Sequence, residues 1–191
     1  MSESSHPFRQ TNPGRVEVVK TSSVSLTVAF TALYTVLVIA LAPISFGPIQ
    51  LRLADCLIPL AALFGAPVIV GVTAGCFLGN AYSWLGPQDV ILGSAANFLA
   101  AALIFLLRRN QFPACVIGSL PIGVIVGSYL WTFFPPPDIL GLNIPIWAAM
   151  ILSITMSSLV AVGGIGYLLL RALERPTTIS ALKALGLETY V

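Results

Sequence analysis

Long apolar runs are the feature that most restricts what this chain can fold into. Most of them reach the roughly 20 residues that a helix needs to cross a bilayer. Only 8% of the residues are charged, the mean hydropathy is +0.96, and the runs lack the alternation of barrel strands. The sequence therefore predicts an all-α, polytopic integral membrane protein, a bundle of about six transmembrane helices. The runs cover residues 24–42, 57–64, 67–82, 90–107, 114–134 and 144–170.

A polar segment with three basic residues precedes the first apolar run. Such a segment is also typical of a secretory signal peptide, but this run has 19 residues and the apolar part of a signal has about 7–15. We therefore expect the first helix to remain in the protein. The predicted organisation is a cytoplasmic tail over 1–23, one membrane domain over 24–172 and a second cytoplasmic tail over 173–191.

The basic residues indicate orientation, because cytoplasmic ends of membrane helices attract lysine and arginine. They form three groups: Arg9, Arg15 and Lys20; Arg108 and Arg109; Arg171, Arg175 and Lys183. An even number of crossings must separate the first group from the second. Glycine and proline at 65–67 are expected to end a helix, so we count 57–64 as a separate short helix. This gives four crossings between the two groups, whereas one kinked helix over 57–82 would give three. We predict a multi-pass plasma membrane protein with both termini cytoplasmic, and the net charge of +2 gives no sign of nucleic-acid binding.

Charged side chains converge on the outward face in this topology. Arg52 and Asp55 are three residues apart, so a helix or a tight turn places them on one side, where they can pair. A structural ion pair at the membrane surface fits this spacing. So does a pocket that presents a guanidinium fork and a carboxylate to a small polar ligand. Because charge buried near a membrane is costly, the pair marks a candidate site.

The third and fourth helices carry further polar residues at the same end. Asp89, Gly93 and Asn97 follow at four-residue steps, which places an acid, a gap and an amide on one face. This face could bind a planar ligand over Gly93. The alternative is that Asp89 merely caps the N-terminus of the helix. Asn80 offers an amide that both donates and accepts, and Trp84 suits either an interfacial aromatic belt or stacking on a ligand. The candidate ligand-binding residues are Arg52, Asp55, Asn80, Trp84, Asp89, Gly93 and Asn97.

Small residues recur at four-residue spacing in several runs. Gly71, Gly75 and Gly79 are the clearest case, and this spacing is typical of helices that pack closely in lipid. Ser25 and Ala29 form a weaker pair of the same kind on the first helix. We expect the glycines to hold the bundle together and the pair on the first helix to face a partner subunit.

Motifs for nucleotide hydrolysis and metal catalysis are absent from the sequence. It contains no G-x-x-x-x-G-K-[ST], no H-E-x-x-H and no G-x-S-x-G, and its single histidine, His6, lies in the N-terminal tail. The three cysteines are isolated and lack C-x-x-C spacing. We therefore predict no enzymatic activity, no catalytic residue, no cofactor and no metal. If the protein transports a solute, any energy must come from an ion gradient or from another polypeptide. The sequence predicts no mid-membrane ionisable residue, which favours the second.

One part of the chain resembles a known family. The segment APISFGPIQLR at residues 42–52, followed by Asp55, is similar to the segment after the first helix of the queuosine-precursor transporter (QueT) family. The pattern continues with Gly79-Asn80 and with Gly86 and Asp89 through Gly93. The resemblance covers roughly residues 24–107.

The family consists of substrate-binding S components of energy-coupling factor (ECF) transporters. The resemblance implies a six-helix bundle with an outward pocket for a 7-deazapurine such as queuine, with a coupling membrane protein and two cytoplasmic ATPases as partners. Asp55 or Asp89 can accept from the amino group and ring N–H of such a base, and an amide or Arg52 can donate to its carbonyl. An aminomethyl cation on the base would need a further acid, for which Asp138 is a candidate. The alternatives are a stand-alone secondary carrier, an S component for another vitamin-like ligand and a scaffold without a ligand.

Overall fold

The structure is a computed structural model that describes residues 21–45, 51–135 and 144–190. In chain order its helices are α1 (Thr21–Ala40), α2 (Leu53–Phe64), α3 (Ala66–Ser83), α4 (Pro87–Leu106), α5 (Gln111–Leu130), α6 (Ile146–Leu173) and α7 (Pro176–Ala184). A single helical turn over Ala42–Ser45 follows α1. Five of these helices are long and apolar enough to cross a membrane: α1, α3, α4, α5 and α6. The described residues contain no β-strand. The predicted all-α, polytopic membrane architecture is confirmed.

Helix α2 is short and ends at the predicted break. It begins as a 3₁₀ helix over Leu53–Leu60 and continues as one α-helical turn to Phe64. Gly65 then adopts φ +68° and ψ −135°, a conformation that residues with a side chain rarely adopt. Helix α3 begins directly afterwards, with a proline in its first turn. The two apolar runs on either side of residue 65 therefore belong to separate helices.

Replacement of Gly65 by alanine is expected to destabilise the protein. An added Cβ would lie 2.7 Å from Cε2 of Tyr190 and 3.2 Å from Cε2 of Phe105, in a backbone conformation that disfavours any side chain. We expect Gly65→Ala to lower the free energy of unfolding in detergent by about 1–3 kcal/mol. Gly186→Ala is the control for the backbone contribution, because Gly186 has φ +76° but nothing within 4 Å of an added Cβ. Equal losses in the two variants would show that the contact with Tyr190 contributes nothing.

Helices α1 and α3 run parallel and approach closely. A Cβ added at each of three α3 glycines would lie 2.7 or 2.8 Å from a side-chain atom of α1. The close pairs are Gly71 with Phe30, Gly75 with Tyr34 and Gly79 with Val38. This confirms the packing role predicted for the glycines. Because the numbers on both helices rise together, the chain between them must return along the bundle, and α2 provides that return. Six membrane crossings stay a prediction.

The other helices continue the alternation of direction. The contacts that show it are Asn80 with Asp89 between α3 and α4, Gly127 with Ile151 between α5 and α6, and Gly166 with Pro59 between α6 and α2. Helices α1, α3 and α5 therefore end where α4 and α6 begin, whereas α2 begins about halfway along the bundle, where Asp55 contacts Asn97 of α4. We call the end at which α4 begins the aspartate end, since Asp89 lies there. The opposite end, which carries Arg108 and Arg171, is the arginine end.

The C-terminal segment packs back onto the arginine end. The backbone N–H of Tyr190 donates to the carbonyl oxygen of Leu63 at 2.9 Å. The ring of Tyr190 stands edge-on to that of Phe105, with 5.2 Å between the centroids. Leu182 and Leu187 pack against the hydrophobic core of the bundle. This segment therefore contributes to the stability of the bundle itself.

Candidate ligand-binding site

Three charged side chains are buried together between the aspartate end and the middle of the bundle. Asp55 lies deepest, since it contacts Asn97 about halfway along α4, which differs from the expectation that no ionisable residue lies near mid-membrane. Arg52 immediately precedes α2, Asp55 lies in the first turn of α2, and Asp89 lies in the first turn of α4. None of the three is more than 7% exposed. The guanidinium of Arg52 interacts electrostatically with both carboxylates, and its Nη1 lies 3.5 Å from Sγ of Cys76 on α3. Because charge is costly at membrane depth, a buried group of this kind indicates a functional site.

Asp55 is held by a hydrogen-bond chain from two other helices. The hydroxyl of Tyr34 on α1 donates to Oδ1 of Asp55. Nδ2 of Asn97 on α4 donates to the Tyr34 hydroxyl at 2.6 Å and to Oδ1 of Asp55 at 3.5 Å. Since an amide N–H can only donate, the Tyr34 hydroxyl accepts from Asn97 and directs its own proton at Asp55. The chain therefore fixes the orientation of the Asp55 carboxylate.

Asp89 is the centre of a second cluster. The hydroxyl of Tyr129 on α5 donates to Oδ1 of Asp89 at 2.8 Å, and Nδ2 of Asn80 on α3 donates to the backbone carbonyl of Asp89 at 2.8 Å. The N-terminus of α4 has no side-chain cap, so the capping alternative for Asp89 receives no support. Oδ2 of Asp89 and Oδ1 of Asn80 are buried without a hydrogen-bond partner among the described residues. Buried acceptors are normally satisfied, so these two indicate a place for an additional donor.

A small cavity lies against Arg52 and Asp55. Its remaining walls come from α5 and α6: Ile122, Val126, Ile154 and Ser158. The cavity volume of about 10 Å³ suits a single water molecule, whereas ligand pockets measure about 300–1,000 Å³. A ligand of ordinary size therefore does not fit this cavity as it stands. A π-helical segment, Leu159–Gly166, follows directly in α6, and such segments are frequent at functional sites.

Two of the predicted ligand contacts have surroundings that differ from the expectation. The space over Gly93, expected to be open, is taken by the Asn80 amide, because an added Cβ would lie 2.7 Å from Asn80 Nδ2. Trp84 ends α3 with φ +44° and is 67% exposed, so the structure does not bring it together with the buried cluster. Its position at the aspartate end suits an interfacial aromatic residue. Asp138 lies outside the described residues.

Sequence reasoning did not select Tyr34 and Tyr129, which hold the two aspartates. One signal was present, since a tyrosine buried in an apolar helix needs a partner for its hydroxyl. Tyr34 lies at four-residue steps from Phe30 and Val38, and all three are buried. The partner of Tyr34 is 21 residues away in the chain, and no local spacing could identify it.

Ser25 and Ala29 lie on the exposed side of α1. The buried residues of this helix are Phe30, Tyr34 and Val38, which face α3 and the site. Both small residues are exposed near the arginine end. Their contact with a partner subunit stays a prediction.

Comparison with known proteins assigns the chain to a family. The family model described as QueT transporter matches residues 24–175. The queuosine precursor transporter QueT of Lactococcus lactis subsp. cremoris (strain MG1363) is 35% identical over 80 residues, which is 40% of this chain and 45% of the relative. The similarity therefore spans less than half the length of that relative. No solved structure matches the chain significantly. Because the family match extends from α1 to the end of α6, this multi-pass membrane protein belongs to the QueT transporter family.

Proposed function

We propose that the chain is the substrate-binding S component of an ECF-type importer and that it captures queuine or a related 7-deazapurine. The observation that carries this proposal is the pair of hydrogen-bonded aspartates, Asp55 and Asp89, buried with Arg52 inside the bundle. Such a group suits recognition of a small polar heterocycle. Family membership supports a transport role, and the Lactococcus relative carries the name of a queuosine precursor transporter.

The chemistry of the cluster suits a 7-deazaguanine. Such a base presents an amino group and a ring N–H as neighbouring donors, and a carbonyl oxygen as an acceptor. A carboxylate that is already oriented, Asp55 or Asp89, accepts from the donor pair. Arg52 or Asn97 donates to the carbonyl oxygen, and Oδ1 of Asn80 adds a further acceptor. Both edges of the base thereby find partners in one buried group.

The proposed orientation places the arginine end in the cytoplasm. The basic residues at that end are Arg108, Arg109, Arg171, Arg175 and Lys183. Cytoplasmic ends attract such residues, so the aspartate end faces outward and both termini lie on the cytoplasmic side of the plasma membrane. A coupling membrane protein and two cytoplasmic ATPases supply the energy, because this chain has no phosphate-binding loop. Ser25 and Ala29 are the proposed contact with the coupling protein.

A stand-alone secondary carrier is the second candidate. Such a carrier needs an ionisable group that binds the coupling ion or proton near mid-membrane. Asp55 is buried about halfway along the bundle, against Asn97 of α4, and is the described residue that could serve a carrier in this way. The reconstitution described next therefore decides between the two candidates.

Titration of the purified chain alone, followed by reconstitution, separates these candidates. An S component binds queuine or a deazaguanine precursor in detergent without ATP, and guanine and biotin serve as control ligands. In liposomes it does not accumulate the ligand until the coupling protein and the ATPases are added. Accumulation by the chain alone along an ion gradient would identify a secondary carrier. If the chain binds biotin or another vitamin and no deazapurine, the proposed S-component role would stand and the proposed ligand would be wrong.

Tyr34→Phe is expected to raise the Kd for the deazapurine about tenfold or more. The substitution keeps the ring but removes the donor to Asp55 and the acceptor for Asn97, and a hydrogen bond to a charged group is worth about 1.5–3 kcal/mol. Tyr82→Phe is the matched control, because Tyr82 is 71% exposed, and we expect wild-type affinity. Calorimetry of both variants checks this. Wild-type affinity of Tyr34→Phe would show that the ligand does not need an oriented Asp55.

A further inference from the structure

A groove on the outside of the bundle lies between the end of α4 and the beginning of α5. We call it the α4–α5 groove. Its volume is about 300 Å³, which is within the range of ligand pockets. Two of its lining residues, Arg109 and Asn110, belong to the connection between the two helices. Most of the groove is apolar, and the apolar residues that line it are Leu106, Leu107, Pro113, Ala114 and Ile117.

Charge distinguishes this groove from other apolar grooves of the bundle. Two larger ones, of about 450 and 490 Å³, lie between α3 and α4 and between α5 and α6. The described residues that line these two include no charged side chain, which suits contact with the hydrocarbon tails of any lipid. The α4–α5 groove, by contrast, is lined by one cation, Arg109, and by no acid of the described chain. A ligand that complements it therefore combines an apolar part with an anionic group.

Neighbouring charged side chains point to other partners. The guanidinium of Arg108 lies over the ring of Phe105, 4.4 Å from its centroid, and Nη1 of Arg108 donates to the carbonyl oxygen of Phe105 at 3.0 Å. The carboxylate of Glu174 forms an ion pair with Arg171, with 3.3 Å between Oε2 and Nη1. Arg109 is exposed and lines the groove. The cation that the groove presents to a ligand is therefore Arg109.

Arg109 lies at the depth of a lipid headgroup. Helix α4 ends at Leu106 and α5 begins at Gln111, and both are long enough to cross a membrane, so their connection lies at the membrane surface. The apolar wall continues from there along α5 to Ile117, more than one helical turn towards the membrane interior. The groove therefore has its charge at headgroup level and its apolar part at the level of the acyl chains.

We propose that the α4–α5 groove binds an anionic phospholipid of the cytoplasmic leaflet. The lipid phosphate pairs with Arg109 and accepts from the side-chain amide of Asn110, and one acyl chain lies against Leu107 and Ile117. The planar guanidinium of arginine matches a phosphate with two parallel donors. Basic pockets between membrane helices on the cytoplasmic side are typical of sites for acidic lipid headgroups, and the orientation proposed above places the arginine end on that side. This site is separate from the buried cluster around Asp55, and it does not depend on the ligand proposed there.

The test compares dioleoylphosphatidylglycerol with dioleoylphosphatidylcholine by native mass spectrometry of the purified full chain in detergent. The two lipids have the same acyl chains, and only the first carries a net negative charge. We expect the wild type to bind phosphatidylglycerol at least about fivefold more tightly, which is the contribution of one basic residue near an anionic lipid. In Arg109→Gln the two affinities should become about equal. Arg175→Gln removes an exposed arginine at the same end but outside the groove, and it should keep the preference.

Two further measurements identify the part of the lipid that is recognised. Ile117→Trp fills the apolar part of the groove, and it should weaken both lipids by a similar factor and keep the preference for the charged one. Ile117 is exposed, so the larger side chain does not disturb the core. Glycerol 1-phosphate has the phosphate without the acyl chains, and at the lipid concentration it should not compete. Competition by glycerol 1-phosphate together with full affinity of Ile117→Trp would identify a site for a free anion and overturn the lipid.

Other results would also overturn the proposal. Equal affinities of the wild type for the two lipids, or a preference that survives Arg109→Gln, would show that Arg109 selects no headgroup. Equal losses of preference in Arg109→Gln and Arg175→Gln would show only a general attraction of the arginine end to anionic lipid. Displacement of the bound lipid on assembly with a coupling membrane protein would assign the groove to a protein contact.

Discussion

Asp55→Asn is expected to weaken deazapurine binding by about 30-fold or more. The substitution keeps the shape of the side chain, removes its charge and replaces one acceptor by a donor. Asp55 is 2% exposed and lines the cavity beside Arg52, so water cannot readily replace the lost acceptor. Removal of one partner from a buried charged hydrogen bond costs about 2–5 kcal/mol, and about 2 kcal/mol already corresponds to roughly 30-fold in Kd. Calorimetric titration of the purified variant measures the effect.

The same variant should fold as stably as the wild type or more stably. Among the described residues it leaves one buried acid, Asp89, instead of two, and so lowers the buried negative charge. We therefore expect an unchanged or raised unfolding temperature together with the loss of affinity, which is the pattern of a residue kept for binding. Glu174→Gln makes the same change of charge at the arginine end, where Glu174 is hydrogen bonded to Gln111, and it should keep wild-type affinity. Full affinity of Asp55→Asn would place the binding site elsewhere, and failure to fold would show that Asp55 serves the fold.

Gly75→Ala is expected to destabilise the bundle and weaken binding together. The added Cβ would lie 2.7 Å from Cβ of Tyr34 and 2.9 Å from the carbonyl oxygen of Thr31, and the backbone of α1 cannot yield locally. Alanine gains up to about 1 kcal/mol over glycine within a helix, but overpacking costs about 1–3 kcal/mol, and a clash with backbone belongs at the upper end. We expect a net loss of about 1–2 kcal/mol in the free energy of unfolding. Since α1 must move away from α3, Tyr34 moves away from Asp55 and the affinity falls.

Two other glycines provide the controls for this prediction. Gly164→Ala places its Cβ no closer than 3.9 Å to any neighbouring atom, so both stability and affinity should be retained. Gly71→Ala repeats the clash farther from the site, against Cβ of Phe30 at 2.7 Å. It should lower stability by a similar amount with a smaller effect on binding. Wild-type stability of Gly75→Ala would show that α1 and α3 are farther apart than described, and equal loss of binding in both variants would exclude a specific effect through Tyr34.

Most of the proposed site residues could be selected from the sequence because polar groups are rare in this chain. Arg52, Asp55, Asn80, Asp89 and Asn97 stand out in apolar surroundings, and the structure brings all five into one buried cluster. The cost of placing such groups in a membrane is a property of each residue, so no tertiary information is needed to notice them. Their selection therefore rests on local chemistry.

The sequence did not show the surroundings of three residues, because packing decides them. Gly93 looked like a gap because glycine has no side chain, yet the neighbouring helix fills that space with Asn80. Trp84 was near the site in sequence, but its left-handed backbone ends α3 and leaves the ring exposed. Tyr34 was overlooked because a tyrosine in an apolar helix has many possible partners. Each of these outcomes depends on a second helix that no local pattern describes.

By itself the sequence determined the membrane class, the helical architecture, the break near residue 65 and the polar residues of the candidate site. These follow from hydropathy, from the length of the apolar runs and from backbone preferences, all of which act over neighbouring residues. Only the tertiary structure decided that Tyr34 joins Asp55 to Asn97, that Tyr129 holds Asp89, and that the cavity beside Arg52 and Asp55 is as small as a water molecule. The physical reason is that these hydrogen bonds join residues 21 to 63 positions apart. They form only when the helices pack in one register, which the contacts of the α3 glycines with α1 help to set.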